Sequence, residues 1–571
     1  MPIAIIAFVS AALTAPLLLF GASSGSDDAL DHARWYESFS TQLWAGDLYP
    51  RWLSEMNLGL GSPAFYYYPP LPYYITSLLH PFFPNDDGGW HQIGISAALA
   101  VMLSGIFAFL WLRLLTDERS ALIGAILYML GPYHLASDLY IRFAFAELWS
   151  FVWMPLVLYF THRVIAGNTR ALIGVAVAYA LLVMTHLPTT LIFSICVLAY
   201  VLVLAGSRVA ITIRVAGAML LGAGLAAIYL VPALTMGQYV FVDQMSTGYF
   251  SYANWLLPSS FELWTSDKVV IALMAIDLLI ITVLAFLLLR GNATGRMRRV
   301  QLFWLATGIG SFVMMTDLSR PIWWIAGPLQ KIQFPFRFGT ILTLAVTALV
   351  TMAIASDSRP PKTALRWAAA LLIAAWIPGA IWALGTVWGG LYGEANKVSE
   401  VRTSPDTPEY RPRWNQFMSS IDWRNSVDED YWDKHMNADF VADLRASNLT
   451  RDDASRVRFD KGNGSAVVKK WQPREIVLDV TADTPSVIEV GQFYFPTWIA
   501  RIDGASVEAF GPQPPHGLMS VETPVGQHEI DIKLAPSPQE GIGQMISGVS
   551  IAVLVLLSLL LYKLAIPRTV S

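Results

Sequence analysis

From Met1 to Gly21 no residue carries a charge, and uncharged or nearly uncharged runs of that length return along the whole chain. A helix crosses ~30 Å of hydrocarbon with about 20 apolar residues. Inside lipid only helices and closed barrels satisfy the backbone's polar groups. The runs fall at roughly 3–21, 92–115, 119–133, 147–165, 170–186, 188–206, 211–232, 269–289, 300–316, 338–355, 364–386 and 541–562, about twelve in all. They set the fold class: a polytopic α-helical membrane protein. Composition agrees, with 55% hydrophobic and 14% charged residues, where a soluble chain carries about a quarter charged. The net charge of −4 points to no nucleic-acid partner. The single cysteine, Cys196, lies in an apolar run and has no partner for an internal disulfide. The first run lacks the basic segment that opens a signal peptide and reads as a retained span.

The connections between the runs are asymmetric in charge. Arg113 and Arg119, Arg163 and Arg170, Arg208 and Arg214, Arg290 and Arg296 with Arg298 and Arg299, Arg359 with Lys362 and Arg366, and Lys563 with Arg568 all fall on one side. That bias predicts cytoplasmic termini and long external connections. The external parts are a long first loop at about 22–90, a short polar loop near 133–146, loops at about 233–268 and 317–337, and a soluble segment at about 387–540. The second half of that segment alternates as strands do, in "REIVLDV" (474–480), "SVIEV" (486–490) and "HEIDIKL" (528–534). Asp503-Gly504 reads as a hairpin turn. A small β-sandwich-like module follows from this, with mixed helix and loop before it. The predicted division is 1–386 for the membrane module, 387–540 for the external domain, and 541–571 for a last span and short tail. Glycosylation sequons at Asn448, Asn463 and Asn292 fall on both predicted sides and carry no role.

The first loop opens with "GSDDALDHARW" (25–35). Ser24 or Ser26 would cap a helix over about 27–45, with Asp27 and Asp28 at its positive dipole end. Leu30, Ala33, Trp35 or Tyr36, Phe39 and Leu43 then give one apolar face for a helix lying on the membrane surface. Asp28 and His32 are i, i+4 on that helix, with Asp31 beside them. A carboxylate next to an imidazole accepts a proton, orients a hydroxyl or helps hold a divalent cation such as Mg or Mn. The spacing does not demand the metal. "GDLYPRWLSEMNLGLGSPAFYYYPPLPYYI" (46–75) then interleaves prolines and glycines with tyrosines. It reads as a rigid aromatic shelf, with Tyr66, Tyr67 and Tyr68 as candidate substrate contacts, or else as an interfacial aromatic belt.

These motifs, with "THLPTTL" (185–191), "QFPFRF" (333–338) and "QFYFPTWIARIDG … VETPVGQHEI" (492–530), carry a resemblance across most of the chain. The chain resembles the GT-C class of membrane glycosyltransferases. Within it, the bacterial branch labelled 6-pyruvoyl-tetrahydropterin synthase-related membrane proteins is the nearest match. The resemblance implies a bacterial inner-membrane enzyme that takes a sugar from a polyprenyl-phosphate donor, by inversion, to a lipid, glycan or protein acceptor on the periplasmic face. It implies that a first-loop acid is the general base. The branch's Asp followed four residues later by His maps onto Asp28 and His32. The acidic pair of protein mannosyltransferases and aminoarabinose transferases maps onto Asp27 and Asp28.

Elementary chemistry points the same way. A lipid phosphate needs a cation at the membrane boundary, and the external segments offer Arg142, Arg320 and Arg337. An arginine flanked by phenylalanines, as Arg337 is, either snorkels or meets an anion. His186, next to a proline at a span's outer end, either bonds a helix end or joins the site. Two other function classes stay open on sequence: a transporter or flippase of a lipid-linked or polymeric saccharide, and a non-catalytic envelope assembly protein. Nucleotide-binding, serine-hydrolase and zinc-protease motifs are absent from the sequence, which disfavours a nucleotide-driven pump.

Overall fold

The computed structural model describes residues 1–83, 88–258, 266–289, 294–355, 401, 405–424, 433–447, 449 and 456–563. The expected span at 364–386 and the sequons at Asn292 and Asn448 lie outside the described residues. Each other expected span coincides with a helix. They are α1 (Pro2–Leu13), α2 (Ala15–Phe20), then α3 (Ala29–Trp44) in the first loop, α4 (Trp90–Leu112), α5 (Glu118–Met129), α6 (Phe145–Ile165), α7 (Ala171–Val183), α8 (Leu187–Ala205), α9 (Val209–Leu225), α10 (Ala227–Thr235), α11 (Ser266–Leu288), α12 (Gly295–Met314), α13 (Gly339–Ala355) and α14 (Pro538–Lys563).

Among the described residues six helices are long and apolar enough to cross a membrane, and α9 with α10, bent by 78°, makes a seventh if taken as one span. The remaining expected spans among the described residues are shorter, broken or less apolar helices. One reason is proline. Pro16 has no N–H for the carbonyl of Ala12, and the first run breaks at Thr14 into α1 and α2. Pro232 sits inside α10, beyond the bend. α7 is only 13 residues long and ends before His186 and Pro188.

The short polar loop expected at 133–146 is a second correction. Tyr133–Ile141 continues α5 as a π-helix, and each of its residues is buried. The Arg142 N–H donates to the Ser137 carbonyl at 2.8 Å, five residues back, and such wide turns gather at functional sites. Polar residues that looked solvent-facing thus point into protein. α4 packs on α6 and α5, α7 on α9, α13 on α11 and α12, and α14 on α10 and α9. Small residues allow the close approaches: a Cβ on Gly222 would lie 2.5 Å from the Ala176 carbonyl oxygen.

The C-terminal module has two antiparallel sheets. One runs β1-β4-β8-β7, built from Val457–Lys461, Ser486–Phe493, Leu518–Thr523 and Phe510–Gln513; the other runs β2-β3-β9-β5-β6, from Gly464–Gln472, Glu475–Ala482, Gly526–Leu534, Trp498–Ile502 and Ala505–Ser506. The three strands expected from alternation are β3, β4 and β9. β3 buries Ile476, Leu478, Val480 and Ala482, every second residue. The apolar side chains of β3 share one core with Ile488, Val490 and Val521 of the facing sheet, so the sandwich reading holds. Asp503 and Gly504 turn β5 into β6 with φ of 51° and 83°, the pair of positive φ values that a two-residue hairpin requires.

The segment 46–75 joins this module to the membrane helices. It is three short helices, Met56–Gly59, Ala64–Tyr67 and Leu71–Ser77, with Leu53 bridged to Ser62. Trp52, Leu58, Leu60, Tyr66 and Tyr67 enter the sandwich core, which an interfacial belt would not do. The Trp52 indole donates to Gln492 Oε1 at 2.9 Å. Gly61 has φ +86°, and a Cβ there would meet the Trp52 ring at 2.4 Å.

Candidate active site

α3 begins at Ala29, two residues later than the acidic cluster suggests. Asp28 is its N-cap, with no side-chain cap bond, and Asp31 is the acid of its first turn. Neither Ser24 nor Ser26 caps it; the Ser26 hydroxyl donates to the Tyr140 carbonyl at 2.7 Å. Backbone N–H groups of Asp27 and Asp28 donate to the carbonyls of Ile141 (3.1 Å) and Arg142 (2.8 Å). The start of α3 is thereby clamped to the end of the π-helix, and the Asp28 carboxylate is left free to face a cavity of about 320 Å³.

That cavity has three walls. The first is α3, with Asp27, Asp28, Asp31, His32, Arg34 and Trp35, backed by Tyr68. The second carries Arg142 and Arg337 beneath an aromatic surface of Trp255, Phe334 and Phe336. There the Phe334 and Phe336 rings stack at 5.0 Å, with Trp255 edge-on to both at 4.9 and 5.3 Å. The third is the segment 406–410.

Both arginines are locked by buried acids. Glu147 Oε2 accepts from Arg142 Nη1 and from Arg337 Nε, each at 3.3 Å. Asp138 Oδ1 accepts from Arg142 at 3.0 Å, and the Tyr133 hydroxyl donates to Glu147 Oε1 at 2.9 Å. Arg337 also donates through Nη1 to the Ile332 carbonyl (2.6 Å) and to Gln333 Oε1 (3.1 Å). Snorkelling needs none of these contacts. They pre-orient a planar fork.

Asp28 has a different environment. No arginine, lysine or histidine pairs with it among the described residues. Withdrawal from bulk water raises its pKa above the ordinary carboxylate value, opposed by Arg142 and Arg337 and aided by Glu147. A raised carboxylate is a stronger base where it is ionised.

His32 is buried at 3% exposure, with both ring nitrogens engaged. Its Nε2 accepts the Phe145 N–H at 3.3 Å, so Nδ1 carries the hydrogen and donates to the Tyr73 hydroxyl at 2.7 Å. Burial, then the charge of Arg142, lowers its pKa to about 3. It is a neutral tie between α3 and the start of α6, and no lone pair remains for a proton or a metal. Asp31 pairs with Arg34. Among the described residues no three His, Cys, Asp or Glu side chains converge as a metal site.

The remaining candidates separate. Tyr68 lines the cavity, whereas Tyr66 and Tyr67 do not. They sit in the joint with the β-module, donating to Thr497 (3.4 Å) and to the Met236 carbonyl (2.9 Å). Arg320 pairs with Asp317 at 2.6 Å on the surface, 46% exposed, away from the cavity. His186 bonds Thr189 at 2.8 Å at the start of α8 and stands behind the site rather than in its lining.

Sequence reasoning missed Arg34, Trp255 and all of the third wall. "PDTPEYRPRW" (405–414) sets two acids among three prolines in a stretch assigned to a separate domain. Asp406 is fixed by the Trp35 indole and the Thr407 N–H, both at 2.8 Å, and by the Ser62 hydroxyl. Its own N–H donates to Asn57 Oδ1 at 2.9 Å. Arg34 donates to the Pro405 carbonyl. The external segment therefore completes a site that the membrane module begins.

A family model described as the 6-pyruvoyl-tetrahydropterin synthase related domain, a membrane protein, matches residues 65–386, more than half of the chain. The chain belongs to this family. The match includes Tyr68, Arg142 and Arg337 of the cavity and ends before its third wall. No curated protein matches the chain. Among solved structures, the arabinofuranosyltransferase AftD from Mycobacteria is similar at 18% identity with a TM-score of 0.43, over 67% of this chain and 27% of that one. The Archaeoglobus fulgidus oligosaccharyltransferase in its apo form is similar at 14% identity with a TM-score of 0.41, over 68% of this chain and 55% of that one. The same archaeal enzyme, AglB, with an inhibitory peptide and a dolichol-phosphate gives 14% and 0.42 over the same shares. The chain thus spans about a quarter of the first protein and about half of the second.

Proposed function

We propose that this family member is a membrane glycosyltransferase that moves a sugar from a polyprenyl-phosphate donor to an acceptor hydroxyl on the periplasmic face. The observation that carries the reading is the pairing within one cavity of a desolvated carboxylate with no ion-pair partner among the described residues, Asp28, with two pre-oriented arginines, Arg142 and Arg337. Transfer needs both ends of that arrangement. Asp28 takes the acceptor's proton as its oxygen bonds to the anomeric carbon. The bond from that carbon to the phosphate oxygen breaks on the opposite side, and the polyprenyl phosphate leaves with the electron pair.

Arg142 and Arg337 meet the charge that grows on the leaving phosphate. Fixed donors stabilise such charge without having to reorganise. The aromatic surface of Trp255, Phe334 and Phe336 suits the apolar faces of a sugar ring or the first isoprene unit. Tyr68, beside Asp28, suits the acceptor. His32 is a positioning residue, holding α3 against Phe145, and Asp27 is the reserve base. No step is routed through a divalent cation.

The test is Asp28→Asn in purified protein with a short-chain polyprenyl-phosphate sugar. Transfer is expected to fall by 100-fold or more, in the range of ~10²–10⁴ for a positioned general base, with folding and donor binding retained. Wild-type transfer rates in the variant would remove Asp28 as the base, and Asp27→Asn would then be the deciding variant.

A further inference from the structure

We infer that Glu409 is the acceptor-recognition carboxylate of the same cavity, binding a hydroxyl-rich glycan acceptor through a second hydroxyl while Asp28 takes the proton from the first. The inference rests on the glycosyltransferase reading and extends it to the acceptor class.

The charges of the cavity support it by elimination. Arg34 is paired with Asp31, Arg142 with Asp138 and Glu147, and Arg337 with Glu147. Asp406 is occupied by Trp35, Ser62 and a backbone N–H. Glu409 lines the cavity at 7% exposure, and among the described residues no cation pairs with it. Arg411, two residues on, spends its donors elsewhere: on the Asp406 and Met436 carbonyls, on Met418 Sδ at 3.2 Å and on Asn437 Oδ1 at 2.8 Å. The Glu409 N–H and the Thr407 hydroxyl act on its carboxyl, which leaves acceptor capacity on its two oxygens, and a buried carboxyl without an ion-pair partner in a binding cavity suits a ligand that supplies the remaining donors.

The placement is rigid. The Phe241 N–H donates to the Glu409 carbonyl at 3.0 Å, and Val240 bridges Pro412. Tyr410 stacks on Tyr67 at 6.1 Å and meets Tyr68 edge-on at 6.2 Å. Asp28, Tyr68 and Glu409 all line the one cavity, where Tyr410, next to Glu409, packs against Tyr68. Two acceptors of hydrogen bonds beside stacked aromatic rings form a surface for adjacent hydroxyls of a sugar.

Ionisation sharpens the test. Burial, chiefly, raises the Glu409 pKa to about 7, opposed by its own N–H, by the Thr407 hydroxyl and by Arg411, with Asp406 adding. Asp27, Asp28, the neutral His32 and the paired Asp31 and Arg34 line the cavity at the start of α3, and Arg142 and Arg337 line its second wall. Only the ionised carboxylate accepts hydrogen bonds at both oxygens. Acceptor affinity is therefore expected to rise as pH increases through about 7.

The experiment measures binding of octyl glucoside, galactoside, mannoside and arabinoside to the full chain in nanodiscs at pH 6 and pH 8. Wild type, Glu409→Gln, Glu409→Asp and Asp28→Asn are compared, with farnesyl phosphate as a separate probe of the donor side. For at least one glycoside, wild type is expected to bind several-fold tighter at pH 8. Glu409→Gln is expected to bind it about tenfold more weakly than wild type at pH 8, without the pH dependence. Glu409→Asp retains the pH dependence, and both Glu409 variants bind farnesyl phosphate normally. Equal glycoside affinity in wild type and Glu409→Gln, no glycoside bound by wild type, or loss of farnesyl phosphate binding in Glu409→Gln each overturns the assignment. Failure of wild type to bind farnesyl phosphate instead overturns the glycosyltransferase reading itself.

Discussion

Replacing Glu147 by glutamine separates stability from ligand binding in a way that only the ion lattice predicts. Glu147 is 1% exposed and touches Arg142 and Arg337, each at 3.3 Å. At an effective dielectric near 20, a contact of that length is worth about 5 kcal/mol before desolvation. Breaking a buried pair from one side typically costs about 3–5 kcal/mol, because the partner charge is left behind. Arg142 keeps Asp138 at 3.0 Å, so the uncompensated cation is Arg337, which retains only the Ile332 carbonyl and Gln333. Glutamine still accepts from Tyr133, which isolates the charge from the hydrogen bond. The expected result is a loss of about 3–5 kcal/mol, read as a drop of several degrees in the melting temperature of detergent-purified protein. Farnesyl phosphate brings back the missing negative charge and is expected to stabilise the variant more than wild type. Ligand at 100 times its Kd contributes about 2.7 kcal/mol, and the variant's tighter binding adds to that. An unchanged melting temperature, or equal stabilisation of the two proteins by farnesyl phosphate, would refute the idea that Glu147 balances a phosphate-binding pair.

Two further outcomes follow from named contacts. Arg337→Lys cannot reproduce the three separate contacts to Glu147, Ile332 and Gln333, so donor KM is expected to rise by about tenfold or more. Acceptor KM should hold, and Arg320→Ala on the exposed surface should leave both unchanged; near-normal donor kinetics in the lysine variant would take Arg337 out of the site. His32 has a folded-state pKa of about 3 against about 6.5 unfolded. Below 6.5 the unfolded chain binds a proton that the fold refuses, so stability falls as pH drops, by about 1.4 kcal/mol per unit from this group. His32→Asn is expected to lose about 1–3 kcal/mol at neutral pH and to show a shallower acid limb in pH-dependent melting. An acid limb equal to wild type's would show that His32 is not held neutral.

What the sequence revealed of the site, and what it concealed, divides along chain distance. The i, i+4 spacing placed Asp28 and His32 on one side of α3, and both line the cavity. It could not assign their roles, because those depend on Tyr73 and on the Phe145 N–H, more than 100 positions from His32 in the latter case. Arg320 and Arg337 looked equivalent as cations at an outer boundary. Only the fold shows that one reaches a salt bridge on the surface while the other reaches buried Glu147. Tyr66, Tyr67 and Tyr68 are consecutive, yet the short helix Ala64–Tyr67 ends there and Tyr68 turns extended, with ψ of 138°. Two rings go to the β-module and the third to the cavity. The strands of the sandwich were legible because period-2 burial is local. The third wall was not, since Trp35 meets Asp406 across 371 positions. A proline-punctuated acidic stretch at the edge of a domain is compatible with an ordinary linker. What makes 405–410 part of the site is that Arg34, Trp35, Asn57 and Ser62 of the first loop all bond to it. The boundary drawn at 387 from hydropathy alone therefore separates residues that the chemistry requires together, and a protein truncated there would keep Asp28, Arg142 and Arg337 but lose the wall that faces them.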